Sequence, residues 1–538
     1  YSRTGSTADL EEAINAARET IEATPDDHAD RPLRLNNLGV LLGNRYSRTG
    51  VMPDLDEARM CFKEAFNTKS VSPSERIRAS TKFLSLPNIL QDVQTAYTVA
   101  ETAVNLVPLL SPFSLKSADK HHQLRQAVGL ASDAAAIALH AGHRPLAALQ
   151  LLETGRGVLA GSLQNIRTDL SALQQSHPDL ADAFVHLRNQ LDAPAQRSGL
   201  APFQPQLTKP ASVDPDYRHK ASADMDSLVL NIRSRPGFER FLLSATEEEI
   251  LEAAVEGPII VINVSSHRCD ALIVERSGIR SLEERAGDLG SATTLEWLWD
   301  VVVGPVLDVL GFTALPTGDT WPHVWWIPTG PLTRFPLHAA GHRVVSSYSP
   351  SIRSITRADI ETPRKGSEVL SKLVNATRET DAVRKPPAHK KDVLAALENC
   401  RIFHFAGHGG AHPDPLQSLL LLKDWEKDPL MVESLLETNL STRTPFLAYL
   451  SACGTGRIRD NRSIDESIHL TSAFQLAGFR HVIGTLWEVD DELCALSDES
   501  ISRGLHHATK TLRDKDIEPD KNARHEQALW IPYVHYGM

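Results

Sequence analysis

Apolar residues along this chain change their period once, near residue 246. Before that point they recur at three- and four-residue spacing, the mark of helices with one buried face. The leucines of "LRLNNLGVLLGNRYSRTG" at residues 33–42 fall on one such face. "YSRTGSTADLEEA" at Tyr1 returns as "YSRTGVMPDLDEA" at Tyr46, a period of about 45 residues. Asp54 is placed to cap a second helix that carries Ala58 and Phe62. Farther on, "LRQAVGLASDAAAIALHAGH" and "RPLAALQLLETGRGVLAGSL" continue the helical pattern, amphipathic and alanine-rich, as diverged repeats or a helical adaptor, with Gly142 a stop for the first. The proline-rich polar stretch 191–216 reads as a loop inside this helical region. Tyr1 falls inside a repeat copy, so a longer protein is expected.

After residue 246 short β-branched runs take over. "GPIIVINVSSHRCDALIV" holds two neighbouring strands, and "HVWWIP", "CRIFHFAGH", "PFLAYLSACG" and "HVIGTLWEV" read as further buried strands. Helical stretches at 289–311, 390–398 and 463–478 lie between them. Alternating strands and helices predict an α/β domain with a mostly parallel central sheet, which carries its site at the strand ends. Three parts follow: helical repeats at 1–160, a helical adaptor with a proline-rich linker at 161–245, and the α/β domain at 246–538. Removing the first 160 or so residues is expected to leave a foldable C-terminal domain.

Composition narrows the chemistry. The 538 residues carry a formal charge of -12, which argues against a nucleic-acid partner. No apolar run reaches bilayer length, so no membrane partner is expected. Cys61, Cys269, Cys400, Cys453 and Cys494 are scattered and form no CxxC pair, which fits free thiols in a reducing cytosolic or nuclear compartment. There is no P-loop, dinucleotide fingerprint or HExxH motif. Trp325 and Trp326 read as core, Trp487 as packing a strand end, and His338 and His342 as surface residues.

The chemistry concentrates in two stretches. In "CRIFHFAGHGGAHPDP", His404, His408 and His412 stand four apart, as a helical metal site would place them. Gly407, Gly409, Gly410, Pro413 and Pro415 oppose a helix. A strand ending near Ala406, with His408 on the turn beyond, is expected instead, and no metal or organic cofactor. "PFLAYLSACGTG" has the same design and ends on Cys453. If the two strands are neighbours, an imidazole and a thiol meet at one sheet edge, as a nucleophile and its general acid–base partner require. The N–H groups of Gly409 and Cys453 are candidate oxyanion donors. Separately, each residue reads as an ordinary turn histidine or a buried small thiol.

"HFAGHGG", "YLSACGTG", "LAGFRHVIGTLWEVDD" and "WIPYVHYG" together resemble the CHAT domain, a caspase-like cysteine peptidase domain often found behind tetratricopeptide (TPR) repeats. "PTGPLTRFPLHAA" and "YSPSIRS" extend the likeness over residues 246–538. Leu38, Gly39, Tyr46, Ala58 and Phe62 follow the order of a TPR signature, so the whole resembles fungal-type TPR-CHAT proteins. The resemblance implies a caspase–separase clan fold with His408 as base and Cys453 as nucleophile. The run Leu486 to Asp491 is similar to one in separases, where nearby acidic residues select a basic residue before the scissile bond. Asp491 and Asp490 are the expected selectors, with Asp465 in reserve. The expected function is a cysteine endopeptidase acting on a protein or peptide, regulated through a protein partner bound by the repeats. The rival from another class is a catalytically inactive TPR-CHAT scaffold, favoured by segments near 375–390 and 494–500 that are shorter than the resemblance implies.

Overall fold

The computed structural model describes residues 7–168, 170–192, 215–284, 294–316, 321–341, 343–361, 389–440, 445–486 and 533–537. The helical part opens with α1 (Thr7–Glu22), α2 (Arg31–Thr49), α3 (Met52–Asn67), α4 (Pro73–Leu84) and α5 (Val93–Leu106). Thr7 in α1 and Met52 in α3 hold equivalent positions of the sequence repeat, 52 − 7 = 45 residues apart. Small residues let these helices approach. A Cβ on Gly39 would lie 2.8 Å from the ring of Phe62, so α2 packs on α3 at backbone distance there. Gly50 ends α2 in the left-handed region at φ 70°, its N–H donating to the Tyr46 carbonyl at 2.8 Å. Arg45 joins the repeats through Asp54 and Glu11, at 2.7 and 2.8 Å.

The next helices depart from the pattern. They are α6 (Ser117–Leu124), α7 (Leu130–His140), α8 (Pro145–Gly155) and α9 (Val158–Ile166). Both alanine-rich stretches are broken at a glycine. Gly129 (φ 83°) precedes α7 and Gly157 (φ 59°) precedes α9, and both are left-handed positions that a Cβ would strain. Helical periodicity survives such a break, which is why the sequence hides it. Then α10 (Ser171–Ser176), α11 (Pro178–Asp192) and α12 (Pro215–Arg233) close a small separate core around Phe184, Met225 and Ile232. Most of the proline-rich stretch between α11 and α12 lies outside the described residues.

The sheet begins after α13 (Glu247–Ala253), which Thr246 and Glu249 start with a capping box. Its strands are β1 (Ile259–Asn263), β2 (Cys269–Glu275), β3 (Gly278–Glu284), β4 (His323–Pro328), β5 (Val345–Tyr348), β6 (Ile402–Ala406), β10 (Leu447–Ser451), β11 (His481–Thr485) and β12 (Tyr533–Gly537). Three two-residue strands, β7 (Gly409–Gly410), β8 (Leu419–Leu420) and β9 (Leu430–Met431), form a separate small sheet beyond β6. The large sheet has the order β3-β2-β1-β4-β5-β12-β11-β10-β6. It is mixed. The pairings β1 with β4, β4 with β5, β5 with β12, β11 with β10 and β10 with β6 are parallel, and the other three are antiparallel. β12, from the far end of the chain, lies between β5 and β11 and joins the two halves.

Helices interleave with the strands. α14 (Thr294–Leu298) and α15 (Gly304–Val309) are joined by a π turn, and α16 (Ile352–Glu361), α17 (Lys390–Leu397), α18 (Val432–Leu436) and α19 (Leu470–Ala477) follow. The stretch 463–478 is not one helix. A 3-10 turn (Asn461–Glu466) ends at Ser467, whose φ is 48°, before α19 begins. Trp325 and Trp326 are buried, as expected of core residues, whereas His338 is half-buried with Nδ1 3.0 Å from the Tyr348 hydroxyl. His342 and Trp487 lie outside the described residues.

The expected independence of the C-terminal part does not fit the packing. Buried residues from Leu10 to Leu163 and from Ile250 to Tyr536 belong to one continuous apolar cluster. Cutting near residue 160 would strip that cluster of one wall and leave its apolar surface in water.

Candidate active site

β6 and β10 are adjacent and parallel, with Ala406 opposite Ser451. The last rung between them is the Gly407 N–H donating to the Ser451 carbonyl at 3.2 Å. His408 and Cys453 each lie two residues beyond that final pair, on the same edge of the sheet. The contact between the two turns is tight: a Cβ on Gly409 would stand 2.8 Å from the Cys453 carbonyl oxygen and 3.5 Å from Ala452 Cβ. Position 409 therefore admits only glycine without displacing backbone. His408 is exposed and Cys453 half-buried, so reagents in solvent reach this edge.

The direction of the Gly409 N–H follows from register. Gly409 faces Leu420 on β8, and the neighbouring Leu421 N–H donates to the His408 carbonyl at 2.9 Å. That makes Gly409 and Leu420 a non-hydrogen-bonded antiparallel pair, so the Gly409 N–H points away from β8.

The cysteine turn is held by residues that the motif reading passed over. Gly454 takes φ 63° immediately after Cys453. Thr485, at the end of β11, donates its hydroxyl to the Ala452 carbonyl at 2.7 Å and its N–H to Thr455 Oγ1 at 2.9 Å. Gly456 N–H returns to the Thr485 carbonyl at 2.8 Å, and Thr471 N–H reaches the Thr455 carbonyl at 3.1 Å. Thr455 and Thr485 are fully buried, so each bond is made out of water. The sequence signal was present in "CGTG" and "VIGT": a threonine after each strand-end glycine, able to bond sideways to the other.

The three histidines diverge. His404 stacks on Tyr449 of β10, with ring centroids 4.8 Å apart, and partial desolvation lowers its pKa although the residue is exposed. His412 instead accepts the Asp414 N–H at 3.0 Å. Among the described residues no three His, Cys, Asp or Glu side chains converge as metal ligands would.

Of the three expected selectors, Asp490 and Asp491 lie outside the described residues. Asp465 is buried and already engaged. Its Oδ2 accepts the Gly129 N–H at 2.6 Å, and its Oδ1 stands 3.7 Å from Arg156 Nε. Neighbouring Glu466 accepts the Leu159 N–H at 2.8 Å. Burial pushes both carboxyls up, that of Glu466 to about 7. In this arrangement Asp465 faces the helical layer, not a substrate. The hydrogen-bond donors to this pair lie more than 300 residues away in sequence.

Residues 359–537 match the CHAT domain. The match spans β6 to β12, and so contains both halves of the His408 and Cys453 edge. CHAT is a caspase-like domain related to cysteine peptidases. The matched residues share one sheet with β1 to β5, which precede them in the chain. No curated protein matches the chain. Among the described residues no helix is long and apolar enough to cross a membrane.

Proposed function

We propose that this chain is a cysteine endopeptidase of the caspase–separase clan, with His408 and Cys453 as its dyad. The observation that supports it is the register of β6 against β10, which leaves these two residues equally far past the last rung of one sheet edge. The Cys453 sulfur attacks the peptide carbonyl carbon, and His408 takes the thiol proton and passes it to the leaving amine. The oxyanion is held by the N–H groups of Gly409 and Cys453. Water, deprotonated by His408, then cleaves the thioester and restores the thiol. The reaction calls on no metal or organic cofactor.

We assign substrate selection to Asp491 and Asp490, which follow β11 and would pair with an arginine or lysine before the scissile bond. The repeats, TPR-like in this reading, hold a protein partner, and a reducing cytosolic or nuclear compartment keeps the thiol active. The test is a peptide library scanned at the position before the cut, with Cys453→Ala as control. Cleavage after Arg or Lys that Cys453→Ala abolishes supports the reading. A chain that captures partners through its helices and cleaves nothing is the TPR-CHAT scaffold instead.

A further inference from the structure

Hydrogen bonds from the helical layer converge on one short loop, and that loop starts beside Cys453. The loop is closed at its base by the Thr471 N–H on the Thr455 carbonyl, two residues after Cys453. Its far side carries Asp460, Asp465 and Glu466. Arg125, just after α6, pairs with Asp460 at 2.6 Å. The Gly129 N–H, ahead of α7, meets the Asp465 carboxylate at 2.6 Å. The Gly157 N–H, ahead of α9, meets the Asp465 carbonyl at 2.9 Å. The Leu159 N–H, in the first turn of α9, meets the Glu466 carboxylate at 2.8 Å.

These contacts explain two features that helical periodicity does not. Both alanine-rich stretches break at a left-handed glycine, and each break turns orphan helix N–H groups toward the same acid pair. Carboxylates there also face the positive ends of two helix dipoles, with Arg156 beside them. Asp465 and Glu466 are each only 4% exposed, so these bonds lie out of water. Ser467 then leaves the acid pair in a left-handed conformation that a non-glycine residue holds only when its surroundings enforce it. The loop is thus clamped on one side by Thr455 and Thr485 and on the other by the helical layer.

We propose that Asp465 and Glu466 are positioning residues that make the geometry of the Cys453 turn depend on how the helical layer sits on the sheet. This rests on Cys453 being the nucleophile. A partner that shifts α7 and α9 would move the acid pair, and with it the loop whose base holds Thr455 and Thr485. The helices would then act as a regulatory layer of the site as well as a docking surface.

The test compares Glu466→Ala with Glu466→Gln in the full chain, because glutamine keeps an acceptor for the Leu159 N–H. In Glu466→Ala, amide exchange of residues 456–470 and of the first turn of α9 should accelerate together, roughly tenfold. In the same variant kcat should fall about tenfold at nearly constant KM. Alkylation of Cys453 at fixed neutral pH should slow with it, because the turn that presents the sulfur is no longer held. Glu466→Gln should retain protection, turnover and alkylation rate. Arg125→Ala, which removes only the outermost contact, should shift the same readouts by a smaller factor, and it stands in if Glu466→Ala does not fold. Exchange that rises in α9 while the loop and Cys453 reactivity stay unchanged would overturn the proposal, as would an Arg125→Ala chain identical to the parent. If the parent cleaves nothing, coupled exchange with slowed Cys453 alkylation still upholds the coupling, and the peptidase reading alone fails.

Discussion

Replacing Gly409 with alanine puts one methyl group where the two site turns touch. The added Cβ would stand 2.8 Å from the Cys453 carbonyl oxygen, against 3.4 Å for the near limit of ordinary contact. Something must therefore move by 3.4 − 2.8 = 0.6 Å. The oxygen belongs to backbone, and Thr485 anchors the turn on either side, at Ala452 and at Thr455. The turn beyond β6, on the edge of the large sheet and tied through the His408 carbonyl to Leu421 beside the two-residue strand β8, has fewer anchors and is the part to yield, and it carries His408. Overpacking of this kind costs about 1–3 kcal/mol. A displacement of that size in a reacting pair costs roughly 10- to 100-fold in turnover. The neighbouring Gly410 supplies the control, because its Cβ would meet Leu419 at 3.6 Å, an ordinary contact. The assay is kcat/KM on a peptide with arginine before the cut, with thermal melting of both variants. Gly409→Ala should lose activity and some stability while Gly410→Ala matches the parent. Equal behaviour of the two variants would refute the reasoning that the turns touch at Gly409.

Three more expectations follow from the same geometry. Cys453→Ala and His408→Ala should each remove nearly all cleavage, and the double variant little more, as groups acting in one step do; additive losses in kcat/KM would separate the two residues. Glu466 has its pKa raised from 4.5 to about 7 by burial, so the folded chain binds the proton more tightly than the unfolded chain. Its contribution to stability is present below pH 4.5 and is lost as the pH rises toward 7, a total of about 3 kcal/mol. Melting across that range should show a shallower decline for Glu466→Gln, and identical slopes would contradict the assignment. Asp490→Ala with Asp491→Ala should reduce cleavage after arginine by roughly 2–5 kcal/mol in transition-state binding; unchanged charge preference in a peptide library would remove both residues from selection.

The part of the site closest in sequence was legible. "RIFHF" and "PFLAYLS" alternate too tightly for helices and stop at glycines, so both read as strands with His408 and Cys453 beyond their ends, and the structure makes the strands neighbours. Long-range contacts were not legible. The two alanine-rich stretches keep helical spacing straight across Gly129 and Gly157, where the chain in fact turns to meet Asp465 and Glu466. Residues 463–478 hide their break because the left-handed residue is Ser467 and not a glycine. β12 gave no sign from its own residues that it would enter the sheet between β5 and β11. The acidic pair's partners are backbone N–H groups, which no side-chain pattern reports.

The central claim is that Cys453 and His408 act as one pair, and the reactivity of Cys453 measured against the chain's own other thiols tests it most directly. Cys269 and Cys400, both half-buried, are internal references in one mass-spectrometric alkylation time course. Burial raises the Cys400 pKa, so that thiol should react slowly at neutral pH. A peptidyl electrophile carrying arginine should label Cys453 well before either reference, and His408→Ala should abolish that lead while leaving the reference rates unchanged. Labelling of Cys453 no faster than the references, or equally fast labelling in His408→Ala, would contradict the claim.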